Sequence, residues 1–219
     1  MKSADLNFGA SLDEAAYSVG LRVLSESDAH LAGVIERHGP PPMWIREPGF
    51  ATLVYLILEQ QVSLASAKAA YDKLIAEVKQ LTPGRFLKLD KRTLKRVGFS
   101  RQKTLYARIL AEELSTRRLD LRSLNTMDDD GVRARLTALK GIGPWTAENY
   151  LLFALRRPDV WPAHDLALQT AVQQVKGLRK RPSPERLDKM SKAWRPWRSV
   201  ATRIFWHHYL STRRRPASA

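Results

Sequence analysis

Cysteine is absent from this 219-residue chain, which excludes disulfides, cysteine-ligated zinc, iron–sulfur clusters and a thiol nucleophile. Long apolar runs are missing too. The strongest, around Val54–Leu58 and Leu151–Leu155, fall well short of the roughly 18–20 residues that a membrane helix needs. The opening MKSADLNFGASLDE lacks the hydrophobic stretch of a secretory leader, so a cytoplasmic protein without a membrane role is expected. Acidic residues are scarce: 22 Asp and Glu stand against 37 Lys and Arg, a formal net charge of +15. Enzymes of neutral metabolites have no physical need for that surplus, and a polyanionic partner accounts for it.

What is present is a chain that is 44% hydrophobic, enough for one large or two small, closely packed domains. The charge is uneven. Residues 1–37 hold six acidic and three basic side chains, whereas Arg85–Lys103 carries eight basic residues against Asp90 alone. Lys176–Arg198 carries nine against Glu185 and Asp188, and the tail adds Arg213, Arg214 and Arg215. One such run is often only a solvated helix face, but three together suggest a nucleic-acid footprint.

The apolar spacing is helical throughout, with no strand alternation. Gly49–Val62 suits a buried helix, and Ser63 can cap the next, in which Leu64, Ala67, Ala70, Tyr71, Leu74 and Val78 recur every three or four residues. Gly98 stops a short basic helix, Ser100 caps another running to about Leu114, and Asp128–Asp130 precede a further one. Pro40, Pro41 and Pro42 break the chain. The pattern predicts an all-α protein of two lobes. One is formed by both chain ends, 1–42 and 157–219, and the other by 43–156, with the functional cleft between them.

Leu139–Ala147 reads LKGIGPWTA between two helical patterns. Gly141 and Gly143 permit a tight turn, Ile142 can plug the core, and Pro144 suits the first helical position, where its missing N–H costs nothing. Such a helix start offers backbone amides and a positive dipole end to a phosphate. An ordinary helical-hairpin turn is the plainer alternative. A dinucleotide fingerprint is disfavoured, because no strand precedes the glycines and Thr146 stands where the third would be. Twenty residues after Trp145, Asp165 precedes the apolar positions Leu166, Leu168, Ala171, Val172 and Val175. It reads as an N-cap, and a carboxylate fixed at a helix start is also placed well enough to serve chemistry.

Four segments in this order resemble the helix-hairpin-helix DNA glycosylases, specifically the alkylated-base branch of 3-methyladenine DNA glycosylase II and its relatives. They are ILEQQVSLASA (57–67), GFSRQKTLYARILA (98–111), LKGIGPWTAENYLLFAL (139–155) with Asp165 downstream, and RPWRSVATRIFW (195–206). The resemblance covers roughly Pro42–Leu210. It implies a two-lobed fold with the active-site cleft between the lobes, and Asp165 as the catalytic aspartate. It implies a phosphate-gripping hairpin of Gly141, Ile142, Gly143, Trp145 and Thr146. Gln61 matches the wedge that fills the gap left by a flipped nucleotide, and Trp145 and Trp206 match aromatics lining the base pocket. Bacterial relatives carry an aromatic four residues after the Trp145 position. Here that place is Asn149, with Tyr150 one step on, so either could complete the pocket.

Relatives that also cut the strand carry a Schiff-base lysine at the position of Trp145, so the resemblance implies a monofunctional hydrolase acting with water on double-stranded DNA that holds a damaged base. Purines methylated at N3 or N7 are cationic, and stacking on indole favours such a ring by about 0.5–2 kcal/mol. A monomer is expected, in a bacterial cytoplasm and at the nucleoid. No cofactor is implied, although hairpin carbonyls could hold a structural monovalent cation. His207 and His208 do not suggest a metal site, since adjacent helical residues point about 100° apart. Two other readings stay open: a non-enzymatic helix-hairpin-helix DNA-binding module, and a glycosylase for an oxidised or deaminated base.

Overall fold

The computed structural model describes residues 11–213, which places Arg214 and Arg215 of the basic tail outside the described part. Among the described residues there are twelve α-helices and no strands, and no helix is long and apolar enough to cross a membrane. The chain divides into two compact units, one formed by residues up to Ile45 with those from Arg156 onward, the other by Arg46–Leu155.

The unit built from both ends holds α1 (Glu14–Ser27), α2 (Ala29–His38), α10 (Leu166–Val175), α11 (Pro184–Ser191) and α12 (Arg198–Arg213). Helix α12 packs on α1, α2 and α10 and buries Val200, Ala201, Ile204 and Phe205. The prolines after α2 form an extended strap tied to this core. The Tyr17 hydroxyl donates to the Pro41 carbonyl at 2.8 Å, and Arg203, fully buried, donates Nε to the Met43 carbonyl at 2.6 Å. Burial pushes the Arg203 guanidinium pKa down to about 10, so it keeps its charge at neutral pH.

Asp28 joins three elements of the same unit. It caps α2, accepts Lys176 Nζ on both carboxylate oxygens at 2.7 and 2.6 Å, and accepts Trp194 Nε1 at 2.8 Å. Burial alone would raise its pKa, but the hydrogen bonds from Lys176 and Trp194 and the Lys176 charge outweigh that and hold it below the ordinary carboxylate value. A depressed folded pKa contributes stability that is present above the unfolded value and lost as pH falls through the folded one. Asp28→Ala should therefore cost about 2–4 kcal/mol at pH 7 in thermal unfolding. Its deficit relative to wild type should shrink below about pH 4, where the unfolded carboxyl protonates. A deficit independent of pH would assign the loss to packing alone.

The central unit holds α3 (Phe50–Glu59), α4 (Leu64–Val78), α5 (Pro83–Leu87), α6 (Lys91–Arg96), α7 (Arg101–Ser115), α8 (Asp129–Thr137) and α9 (Pro144–Phe153). Its axis is α3, whose residues Leu53, Val54, Leu56, Ile57 and Leu58 are buried and which packs against α4, α7 and α9. The starts of α4, α7 and α8 are capped by Ser63, Ser100 and Asp128, each side chain accepting a backbone N–H three residues on. The apolar run read as one helix to Val62 stops at Glu59 instead, because Gln60 turns into extended backbone, with φ −60° and ψ 122°, and Gln61 follows at φ 57°.

Candidate active site

In the end-built unit the structure brings together two of the site residues that sequence alone singles out. Asp165 is the N-cap of α10, and its Oδ1 accepts the Leu168 amide at 2.7 Å and the indole Nε1 of Trp206 at 3.1 Å. The carboxylate is thus pinned by its own helix and by α12, with Asp165 9% exposed and Trp206 8% exposed. Gln169, one turn along α10 and also buried, donates Nε2 to the Ala163 carbonyl at 2.9 Å and so braces the loop that delivers Asp165. Exposed Leu166 follows directly. An anion held this rigidly can face a developing positive charge without reorganising.

In the central unit, α8 and α9 pack as a hairpin. Gly141 has φ 95°, and a Cβ there would lie 2.0 Å from the Tyr106 ring, so both backbone and packing demand glycine. Gly143 is different. It caps α9 in extended backbone, is exposed, and has nothing within 4 Å of where a Cβ would stand. Pro144 follows at the first helical position, where the first amides of a helix have no intrahelical acceptor.

Three expected hairpin or pocket residues do other work. The Ile142 amide, counted among the phosphate donors, is engaged internally with the Leu139 carbonyl at 3.0 Å while its side chain plugs the core. The Thr146 hydroxyl is turned inward, accepting Gln60 Nε2 at 3.0 Å. Tyr150 has no exposed surface, and its hydroxyl accepts the Gly49 amide at 3.0 Å, which makes it a core residue supporting the start of α3. Trp145 is half-buried at the start of α9, and its carbonyl accepts Asn149 Nδ2 at 2.7 Å. Gln61 is exposed in the turn between α3 and α4. Lys140 lies on the flank of the turn, where with Glu113, Arg118 and Arg135 it lines a shallow depression.

The basic runs divide on the same basis. Arg85, Lys88, Lys91, Arg92, Lys95 and Arg101 are exposed, whereas Arg96 pairs with Glu77 at 2.8 Å and Lys103 turns inward to the Leu58 carbonyl at 2.7 Å. In the second run the two ends are structural, Lys176 on Asp28 and Arg198 on Asp159 at 2.7 Å. Between them Arg179, Lys180, Arg181, Arg186, Lys189 and Lys192 are exposed. His207 Nε2 lies 3.0 Å from the His38 carbonyl. Among the described residues no cluster of three or more His, Asp or Glu is arranged to hold a metal ion.

Two of these features escape sequence reasoning. The bond from Trp206 to Asp165 spans 41 positions, and the inward turn of Gln60 is indistinguishable from its neighbour Gln61 by residue type.

Comparison with known proteins bears on the fold and the family. A DNA-3-methyladenine glycosidase from Bacillus halodurans superposes with a TM-score of 0.74 at 30% identity, covering 89% of this chain and 90% of that one. The Schizosaccharomyces pombe 3-methyladenine DNA glycosylase in complex with abasic DNA superposes with a TM-score of 0.78 at 25% identity, covering 87% and 94%. A longer relative from Bacillus subtilis is 27% identical over 188 residues, and this chain spans 66% of its length. Residues 54–196 match the HhH-GPD superfamily of base excision DNA repair proteins, and the chain belongs to that family.

Proposed function

We propose that this protein is a monofunctional DNA glycosylase that flips an alkylated purine nucleotide out of duplex DNA and hydrolyses its N-glycosidic bond. The observation that carries the reading is the Asp165 carboxylate, fixed by the Leu168 amide and the Trp206 indole N–H on the same oxygen. A DNA-binding module has no need of a buried acid held between two helices. In the reaction the base departs with the bonding electron pair, an oxocarbenium-like sugar develops, and water adds to C1′ and passes its proton to the surrounding water. Asp165 faces the sugar cation and orients the water. A purine methylated at N3 or N7 is already cationic, so it leaves without protonation, and stacking on an indole face favours it over a neutral base.

Phosphate gripping falls to the Gly143 end of the hairpin, where the backbone is exposed and space is open. The exposed basic residues would add sequence-independent affinity that weakens steeply with salt. No cofactor takes part in this chemistry. A monovalent ion on the hairpin carbonyls would brace the turn and stand outside the bond-breaking step. The protein would act as a monomer in the cytoplasm, where chromosomal DNA is accessible.

The test is incubation of the full chain with duplexes carrying 7-methylguanine, 3-methyladenine, ethenoadenine or hypoxanthine, identification of the free base, and borohydride trapping in parallel. The expected result is release of the methylated purines, leaving strands intact until alkali or an abasic-site nuclease is added. Release of none would favour the binding module. Release of hypoxanthine alone would reassign the lesion class. A trapped enzyme–DNA adduct would restore a lyase step through Lys140 or another amine.

A further inference from the structure

The short link between α3 and α4 carries Gln61 at φ 57°, and it is held from two sides within the central unit. Gln60, the C-cap of α3, donates Nε2 to the Gly141 carbonyl at 2.9 Å and to the Thr146 hydroxyl at 3.0 Å. A carbonyl can only accept, which fixes the amide with its NH2 toward the hairpin. From the other side Lys103 of α7 donates Nζ to the Leu58 carbonyl at 2.7 Å. That carbonyl lies in the last turn of α3, where acceptors lack intrahelical donors and a cation suits the helix dipole. Beyond Gln61 the chain presents Val62 and Leu64, 46% and 57% exposed, apolar side chains of the kind that enter a base stack.

A residue pushed into a base stack meets a restoring force, because unstacking costs a few kcal/mol per step. A turn free to yield would relax instead of displacing the nucleotide. The Gln60 amide removes that freedom by bonding the turn to Gly141, whose position is in turn fixed by Tyr106. The push is then delivered against the element that grips the phosphate.

We propose that Gln60 is a positioning residue for base flipping, its side-chain amide locking the Gln61 turn to the hairpin so that wedge and clamp work as one body. The inference rests on the reading of Gln61 as wedge and of the hairpin as clamp. Two variants separate donor chemistry from packing. Gln60→Glu is isosteric but loses both donors and sets a carboxylate against the Gly141 carbonyl. Gln60→Met keeps the length and has no donor.

The experiment uses single-turnover release of 7-methylguanine from a normal duplex and from a duplex with an abasic site opposite the lesion, where pairing no longer holds the base in. A 2-aminopurine beside the lesion reports extrusion, and binding to undamaged duplex is measured alongside. Both variants should lose about tenfold in release and in the fluorescence change on the normal duplex, and less than about twofold opposite the abasic site and in undamaged-duplex affinity. In a Gln61→Ala background, Gln60→Met should add less than about twofold, as expected of a residue acting through its neighbour. Equal losses on both substrates, or full additivity with Gln61→Ala, would make Gln60 a structural residue and overturn the proposal. If Gln61→Ala alone released base from the normal duplex at the wild-type rate, the wedge reading itself would fall, and the inference with it.

Discussion

Asp165→Asn is expected to lower base release by about 10²–10³-fold while leaving fold and duplex binding intact. The hydrogen bonds from the Leu168 amide and the Trp206 indole both end on Oδ1. A carboxamide oxygen in the same place can accept both, and Asn caps helices about as well as Asp. What the substitution removes is the charge. Thermal unfolding and undamaged-duplex affinity should therefore match wild type while single-turnover release of 7-methylguanine collapses. Trp206→Phe is the companion: a smaller aromatic ring remains, the indole N–H on the carboxylate is gone, and a smaller loss of about tenfold is expected from looser placement. Release by Asp165→Asn at near the wild-type rate would remove the carboxylate from the chemistry altogether.

The parts of the molecule that sequence reveals are those whose geometry is local. Gly141–Pro144 fixes a turn and a helix start because left-handed backbone, absence of a side chain and absence of an N–H are properties of those residues alone. Asp165 is legible for the same reason, a capping residue immediately before a helical pattern, as are Ser63, Ser100 and Asp128. What stays hidden is fixed by partners distant in sequence. Trp206 sits among buried residues of α12, and its spacing is satisfied by packing; only the fold puts its N–H on Asp165.

The two adjacent glutamines make the same point more sharply. Nothing in residue type tells Gln60 from Gln61. The break between them arises because the Gln60 amide is drawn inward to Gly141 and Thr146, after which the chain must reverse through a left-handed residue to start α4. The apolar run therefore reads as helix to Val62 when hydrophobicity is the only guide. Charge is legible in sum but not in allocation. Lys103, Lys176 and Arg198 belong to the basic runs by sequence, yet each is engaged with a carbonyl or carboxylate of its own unit.

Substitutions at the two hairpin glycines should separate stability from binding. Gly141→Ala must place a Cβ 2.0 Å from Tyr106 on a backbone at φ 95°. Overpacking and left-handed strain act together there, at a combined cost of about 3 kcal/mol or more. For a chain of this size that lowers Tm by on the order of 10 °C. Gly143→Val meets neither obstacle, since its backbone is extended and nothing lies within 4 Å of the new Cβ. Its folding cost should stay below about 1 kcal/mol, the difference between glycine and an apolar N-cap. If a phosphate approaches that open space, the new side chain will meet it. Damaged and undamaged duplexes should then bind more weakly by the same factor, about tenfold, with the log–log salt slope reduced by about 0.9 because one phosphate is no longer gripped. The measurement is a thermal melt and a salt titration for each variant. A Gly143→Val protein that binds undamaged duplex like wild type would move the clamp elsewhere, because the open space at that glycine would then serve neither the fold nor the ligand.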